Sequence, residues 1–115
     1  MLWTTTAQSL VKKKDFWYIN HMNPVRDNIM FYTYVLQSKK DNRWYTGTTD
    51  DLRKRFKEHN LGLSTSTKNR GPFVLIYYEG CLNQKDAYMR EKYLKTGMGK
   101  RYLKNRLKRF LSLTG

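Results

Sequence analysis

Cysteines and long apolar runs are scarce in this chain of 115 residues. Cys81 is the single cysteine, which excludes an internal disulfide and any zinc cluster built on several cysteines. No apolar run approaches the ~20 residues that a membrane-spanning helix needs, and the first residues lack a basic stretch followed by an apolar core. We therefore expect a cytoplasmic protein without membrane association, in which the thiol stays reduced.

Acidic residues are also few, since 9 of them oppose 23 lysines and arginines and leave a net charge of +14 at pH 7. This charge favours a polyanionic partner, with nucleic acid ahead of an anionic membrane surface. The chain is nevertheless 39% hydrophobic and 15% aromatic, which is enough for a folded core. The composition predicts a folded nucleic-acid-binding domain, and a ribosome-associated protein with a basic surface is the alternative.

The first part of the chain differs from the rest in its pattern. Residues 1–29 show no sustained period of 2 or 3.6 residues, so we interpret them as a poorly ordered leader. Met30 then precedes the first regular segment, and we interpret it as the natural start. Residues 30–115 form the predicted domain, and their number suits one modest core.

Three segments have the composition of β-strands. Phe31–Leu36 and Arg43–Thr48 are joined by a polar turn at residues 38–42, which predicts a hairpin. Gly47 marks either a bulge or a close approach of another group to the backbone. The continuous apolar run Phe73–Tyr78 predicts a central strand that is buried on both faces.

A helix should follow the hairpin, and we expect Asp50 to be its N-cap. With ~100° per residue, Leu52 belongs to the buried stripe, Arg55 and His59 fall beside it, and Arg53 points away. Arg55 and His59 can therefore reach a shared site. The alternative for His59 is a cation at the helix end, where the helix dipole favours positive charge.

The loop at residues 63–72 is rich in hydroxyls and bases, including Lys68 and Arg70. Such a loop contacts phosphates or is a plain surface loop, and both interpretations stay open.

The second predicted helix carries a carboxylate on its inward face. Asn83 should cap this helix, and Ala87, Glu91 and Leu94 lie on one side of it. An inward carboxylate is costly unless it is paired or binds a metal. Glu91 is therefore either a metal ligand or the partner of Arg55.

A third helix is predicted from Lys100 to about Leu111, after a break bracketed by Gly97 and Gly99. It should pack through Leu103, Leu107 and Phe110, which recur at helical spacing. The remaining faces are basic and suit a phosphate backbone. The residues that we assign to nucleic-acid contact on this helix are Lys100, Arg101 and Lys104.

The segment from about Met30 to Leu111 resembles a GIY-YIG nuclease domain, in particular the small stand-alone bacterial members related to the nuclease module of the excision-repair enzyme excinuclease ABC. Five pieces in matching order and spacing carry the resemblance: Tyr32-Thr33-Tyr34, Tyr45-Thr46-Gly47, the helix from Arg55 to His59, Asn60-Leu61-Gly62, and Arg90 to Leu94.

The resemblance implies an α+β fold in which a small three-stranded sheet, mixed or antiparallel, is flanked by helices. It also implies hydrolysis of DNA phosphodiester bonds with one divalent metal, Mg²⁺ or Mn²⁺, for which Glu91 would be the ligand. A metal and a guanidinium both suit this reaction because negative charge builds up on the phosphate oxygens in the transition state.

The resemblance implies roles for further residues. Tyr34 and Tyr45 would line the site, one of them near the attacking water, although cross-strand packing is the alternative for both. Arg55 would hold the scissile phosphate, His59 would belong to the site, and Gly47 would admit the phosphate or water. The family's C-terminal asparagine would correspond to Asn105, which the helical pattern places away from the packed face.

A DNA endonuclease with structure-led cutting in repair or recombination is thus the first interpretation of the sequence. The alternative is a non-catalytic nucleic-acid-binding module, for DNA or RNA, that kept the basic surface. Phosphate contacts carry no sequence information, so we expect weak or structure-led specificity, or a partner protein that supplies it.

Overall fold

The computed structural model describes residues 29–114. We interpreted residues 1–29 as a poorly ordered leader, and all of them except Ile29 lie outside the described residues. Within the described part, no helix is long and apolar enough to cross a membrane. The elements in chain order are β1 (Phe31–Ser38), β2 (Trp44–Thr49), α1 (Leu52–Asn60), β3 (Phe73–Cys81), α2 (Gln84–Leu94), α3 (Gly97–Arg106) and α4 (Lys108–Thr114).

The three strands form one antiparallel sheet in the order β2-β1-β3, which confirms the expected α+β class. The prediction that Phe73–Tyr78 is the central strand was wrong. β1 is central and is buried from Thr33 to Ser38, whereas β3 is an edge strand in which Tyr78 is 55% exposed. An apolar run rich in tyrosine suits an edge as well as a centre, because the ring covers the sheet while the hydroxyl stays in water.

Alternate residues of β1 pack into two different cores. Tyr34 and Leu36 belong to the core on the side of α1. Val35 packs instead with Leu94 of α2 and Leu103 of α3 on the opposite side. Side chains of a strand alternate between the two faces, so β1 forms the middle layer between helices. Groups from α1 and α2 can meet only at the margin of the sheet.

The predicted β1–β2 hairpin is present. Its turn is closed by a hydrogen bond from the Ser38 N–H to the Arg43 carbonyl at 2.9 Å, and Asn42 adopts a left-handed conformation with φ 61°. Asparagine tolerates that conformation better than most residues do. β2 begins at Trp44 and ends at Thr49, one residue later at each end than the sequence suggested.

The N-caps of α1 and α2 fix where these helices begin. Asp51, rather than the predicted Asp50, caps α1, because its carboxylate accepts from the Lys54 N–H at 3.1 Å. Two adjacent aspartates are equally good caps by type, so the sequence left this choice undetermined. Asn83 caps α2 as predicted and accepts from the Asp86 N–H at 3.1 Å.

The C-terminal region differs from the single helix predicted over Lys100–Leu111. Two helices replace it, because Leu107 departs from helical geometry with φ −108° and ψ 17°. The break before them lies at Thr96, which caps α3, so both Gly97 and Gly99 belong to its first turn.

Gly99 has a packing role at the junction of α2 and α3. A Cβ atom at this position would collide with the backbone of Tyr93 and Leu94, so the absence of a side chain allows α3 to start directly against the end of α2. This close approach sets the position of α3, whose Leu103 packs with Val35 of the sheet.

Candidate active site

Tyr34 lies at the centre of the candidate site. Its ring is buried on the α1 side of β1 and lies over Gly47, its partner residue on β2. A Cβ atom at Gly47 would come within 2.5 Å of Tyr34 Oη. The close approach that the sequence suggested for Gly47 is therefore made by the Tyr34 ring inside the fold. Gly47 allows the tyrosine to occupy this position.

His59 is the hydrogen-bond partner of Tyr34 and is only 1% exposed. Its Nε2 lies 2.7 Å from Tyr34 Oη, and its Nδ1 lies 2.6 Å from Oγ1 of the buried Thr67. Burial, with a smaller contribution from the charge of Arg55, lowers the pKa of His59 to about 4. The alternative of a cation at the helix end is therefore wrong, because the imidazole is neutral at pH 7 and lies inside the fold.

Arg55 borders the Tyr34 phenol from the next turn of α1 and is half-buried. It donates from Nη1 to Glu58 Oε1 at 3.1 Å and from Nη2 to Ser64 Oγ at 3.2 Å. Burial lowers the pKa of Arg55, but its interactions with Glu58 and Tyr34 outweigh that effect and raise it above the ordinary value. The guanidinium is therefore a fixed positive charge beside the phenol.

The same surroundings keep Tyr34 protonated. Burial raises its pKa to about 12, against a smaller lowering by Arg55. A phenol in this state is not a base by itself at neutral pH. Its proton can leave only together with a transfer to a neighbouring acceptor, and His59 is the acceptor in contact.

Tyr45 and its neighbours reveal a feature that the sequence interpretation missed. Tyr45 packs its ring against His59, with 4.9 Å between the centroids, and its Oη accepts from Ser66 Oγ at 3.2 Å. The loop before β3 thus holds three site residues through hydrogen bonds with three of its hydroxyls, and we call this loop the hydroxyl loop. Ser64 is bonded to Arg55, Ser66 to Tyr45 and Thr67 to His59.

The alternating serines and threonines of this loop were the available signal. They were interpreted as phosphate contacts or a plain surface, because a hydroxyl's partner depends on tertiary contacts that a sequence does not display.

Glu91 approaches from α2, on the other side of the sheet. Its side chain is 15% exposed, Oε1 accepts from Thr48 Oγ1 at 2.7 Å, and Oε2 accepts from Lys95 Nζ at 2.8 Å. The alternative of an ion pair with Arg55 is wrong, because Arg55 pairs with Glu58 and Glu91 with Lys95. The charge of Glu91 makes a small contribution to the raised pKa of Tyr34, so the two groups are electrostatically coupled.

A cleft of about 630 Å³ opens beside these groups, and we call it the catalytic cleft. Arg55 and Thr48 line it, and Thr48 is also the residue that holds Glu91. The first turns of α2 close the other side with Lys85 and Tyr88, which the sequence interpretation did not single out. An anionic substrate in this cleft would meet two cations, Arg55 and Lys85, and the carboxylate of Asp50.

The comparisons with known proteins identify the family of the chain. The model of the GIY-YIG catalytic domain matches residues 30–108. The chain belongs to the GIY-YIG family. Membership of this family implies a nuclease. The family match confirms the resemblance found in the sequence.

Individual relatives of this GIY-YIG chain are bacterial proteins whose names state no activity. It is 45% identical to the UPF0213 protein CPE1444 of Clostridium perfringens over 67 residues, which are 57% of this chain and 71% of that protein. It is 41% identical to the UPF0213 protein encoded in the ldhD 5' region of Pediococcus acidilactici over 81 residues, 65% of this chain and 82% of that protein.

A solved structure, the solution NMR structure of the UPF0213 protein BH0048 from Bacillus halodurans, is 34% identical to this chain. The match covers 64% of this chain and 81% of that protein, with a TM-score of 0.41.

Glu91 has the donor atoms that a divalent cation prefers. Mg²⁺ binds oxygen ligands, keeps several waters and often takes one or two carboxylates together with substrate phosphate. The ammonium of Lys95 lies beside Glu91 Oε2, so a metal that bound this oxygen would displace it. No group of three or more His, Cys, Asp or Glu side chains within residues 29–114 is arranged to hold a metal. A metal here would be held by Glu91 with water and substrate oxygens.

The predicted nucleic-acid contacts separate into two groups. Arg70, Lys100 and Lys104 line a second cleft, of about 810 Å³, which we call the basic cleft. Lys68 and Arg101 are exposed but line neither cleft, so the structure does not group them with the others. Asn105 is exposed on α3 as its helical position suggested, and its side chain forms no hydrogen bond within the described residues.

Proposed function

We propose that the protein is a metal-dependent endonuclease that hydrolyses DNA phosphodiester bonds, with Mg²⁺ or Mn²⁺ as cofactor. The observation that carries the proposal is that Arg55, which lines the cleft, interacts with the buried Tyr34, whose partner is the neutral His59. Thr48, on the same cleft, holds Glu91. Cutting is structure-led, at branched or damaged DNA in repair or recombination, because a basic surface contacts phosphates without reading bases.

Arg55 holds the scissile phosphate. Its guanidinium is kept in place by Glu58 and Ser64, so it meets the developing negative charge without reorganising. Lys85 lines the opposite wall and adds a second, exposed cation. Glu91 would hold the metal, which would supply further positive charge to the phosphate oxygens.

Tyr34 and His59 move the proton of the attacking water. With the Nδ1 proton of His59 donated to Thr67, Nε2 is free to accept from Tyr34. Water gives a proton to Tyr34 Oη while Oη gives its own proton to Nε2, which yields hydroxide for the attack and an imidazolium at His59. Two short hydrogen bonds in a row support this path.

Substrate binding favours that transfer. Burial is the main cause of the low pKa of His59, and the positive charge of Arg55 lowers it further. A phosphate bound to Arg55 neutralises this charge and raises the pKa of the imidazole. His59 is therefore a poor proton acceptor in the free protein and a better one once substrate is bound.

A nicking assay on supercoiled and branched DNA with Mg²⁺ or Mn²⁺ tests the proposal. Glu91→Gln and Arg55→Ala should each lose at least about 100-fold in rate, since each removes a charge that acts on the transition state. The matched controls are Asp86→Asn, on the exposed face of α2, and Arg53→Ala, on the exposed face of α1. Equal cutting by wild type and Glu91→Gln rules out the nuclease.

The second candidate is a non-catalytic nucleic-acid-binding module. The basic cleft favours it, because that surface provides affinity without any of the groups around Tyr34. This alternative predicts salt-sensitive binding of DNA or RNA with no cutting by wild type under any metal condition.

A further inference from the structure

The basic cleft lies between the β1–β2 hairpin and the two C-terminal helices. Its hairpin wall contains Trp44 and Gln37, and its helical wall contains Lys100 and Lys104 of α3 with Lys108 of α4. Among the described residues, it shares no lining residue with the catalytic cleft. It is therefore a second site, with its own chemistry.

The cleft is rimmed by positive charge, and none of the described residues that line it is acidic. Arg43 reaches Asp41 at 3.9 Å, in a pair that is largely exposed. The other cations form no ion pair within residues 29–114, in contrast to Arg55, which is paired with Glu58. These unpaired cations are Arg70, Lys100, Lys104 and Lys108.

Trp44 gives the cleft a flat apolar wall. Its indole packs against the core formed by Val35, Leu94 and Leu103, which fixes the ring, yet the residue is only half-buried. Leu111 adds apolar surface on the helical side. An aromatic wall with a cationic rim is the combination that binds a base and its neighbouring phosphates.

Gln37 adds an unsatisfied polar group to the same wall. The residue is 6% exposed, its Nε2 donates to Asn42 Oδ1 at 3.1 Å, and its Oε1 is buried without a partner among the described residues. Buried side-chain oxygens are normally hydrogen-bonded. A water molecule or a donor from a ligand would satisfy this oxygen.

We infer that the basic cleft binds a single-stranded nucleic-acid segment, with one base against Trp44 and the adjacent phosphates on the lysines of α3 and α4. The inference rests on the proposed function only in that the partner is a nucleic acid. A duplex keeps its bases stacked inside, whereas an unpaired strand can present one to an aromatic wall. The substrate class is therefore DNA with a single-stranded arm next to a duplex.

Charge argues against the chain's own N-terminal segment as the occupant. Residues 1–29 contain four basic and two acidic residues, so they are not complementary to a cationic cleft. A nucleic-acid strand brings one negative charge with every nucleotide.

The first experiment measures binding of the full chain by fluorescence anisotropy, in EDTA, to a duplex with a six-nucleotide dT arm and to the blunt duplex. The variant Lys100→Ala/Lys104→Ala/Lys108→Ala removes three cations from the cleft. Its matched control, Arg53→Ala/Arg106→Ala/Arg109→Ala, removes three exposed cations that line neither cleft.

The lysine variant should bind the armed duplex at least tenfold more weakly, and the arginine variant less than threefold. The slope of log K against log salt should fall by about 2 in the lysine variant, since each contact to a single strand contributes ~0.7. Equal losses in the two variants overturn the inference. Unchanged affinity of the lysine variant for the armed duplex also overturns the inference. In that case another part of the chain occupies the basic cleft.

The second experiment tests the base contact. Trp44→Leu should weaken binding of the dT arm about fivefold or more, and it should leave an abasic arm of equal length unaffected. A melting temperature of Trp44→Leu above the assay temperature shows that the folded variant is compared with wild type. Equal losses for the dT and abasic arms mean that no base stacks on Trp44, which contradicts the inference.

The outcomes are distinct from those of the nicking assay. Loss of arm binding in the lysine variant supports the cleft even if wild type never cuts. If wild type cuts DNA but binds the armed and the blunt duplex equally, the inference about the basic cleft is rejected and the proposed nuclease activity stands.

Discussion

The two clefts use their charges in opposite ways. In the catalytic cleft Arg55 is tied to Glu58 and Ser64, and the nearby Glu91 is tied to Thr48 and Lys95. In the basic cleft four cations have no ion-pair partner within the described residues, and they surround an aromatic wall. Chemistry requires groups whose positions are set before substrate arrives, whereas binding a flexible polyanion requires charges that are free to meet it. In the proposed function, the first cleft carries out catalysis and the second provides affinity.

Tyr34→Phe should produce the largest difference between the two clefts, because it should reduce cutting and leave binding unchanged. The change removes one oxygen, interrupts the proton path to His59 and leaves a buried imidazole nitrogen without its partner. We expect cutting to fall by ~10²–10⁴-fold and stability to fall by about 1–3 kcal/mol, while binding of an armed duplex stays unchanged. Tyr78→Phe, across the strand pair on β3 and 55% exposed, is the control and should leave cutting and stability unchanged. Loss of cutting in both variants would contradict the assignment.

The pH dependence of stability should identify His59. Its pKa is about 4 in the folded protein and 6.5 in its ordinary state, so the unfolded chain binds more protons between these values. Stability from this group is therefore fully present above about pH 6.5 and is lost as the pH falls towards 4, by about 3 kcal/mol at most. Urea unfolding of wild type and His59→Gln from pH 7 to pH 4 measures this loss, and the loss should be smaller in the variant. Parallel pH profiles would show that His59 is not buried in its neutral form.

Gly47→Ala should disturb the catalytic cleft through packing alone. The new methyl group would meet Tyr34 Oη within 2.5 Å, so the ring must shift away from His59. We expect a loss of about 1–3 kcal/mol in the free energy of unfolding, together with reduced cutting. Gly97→Ala is the control, because a Cβ there meets nothing within 4 Å. If Gly47→Ala melts like wild type, the Tyr34 ring does not lie over Gly47.

The smallest effect should come from the exposed end of the hydroxyl loop. Ser66→Ala removes the hydrogen bond to Tyr45, which water can replace, so we expect less than a threefold change in cutting. Thr67→Val removes a buried partner of His59 and should cost about 1–3 kcal/mol of stability. Thermal melts and nicking rates of the two variants test the ranking. A larger effect of Ser66→Ala than of Thr67→Val in these measurements would contradict the ranking.

Local patterns predicted much of this arrangement. Helical periodicity selected Arg55 over Arg53 and placed Glu91 beside Ala87 and Leu94, and both expectations agree with the structure. These predictions succeeded because a helix face depends on spacing within one segment. The family resemblance then related Glu91 to the hairpin.

Long-range pairing accounts for what the sequence did not reveal. The central position of β1 depends on which strands pair, and Phe73–Tyr78 looks equally suitable by composition. The partners of Gly47 and Thr67 lie on other elements, so their contacts are invisible in local pattern. Trp44 looked like an ordinary strand residue, and only the packing of α3 and α4 beside it creates a cleft.

Single-turnover cutting of a branched duplex at saturating protein concentration tests the division of tasks most directly. The proteins compared are wild type, Glu91→Gln and the triple variant of Lys100, Lys104 and Lys108. At saturation the triple variant should cut within threefold of wild type, because only its affinity is reduced, whereas Glu91→Gln should stay at least about 100-fold slower, because it lacks a charge that acts on the transition state. Cutting by Glu91→Gln at the wild-type rate, or a triple variant that remains slow at saturation, would contradict the account.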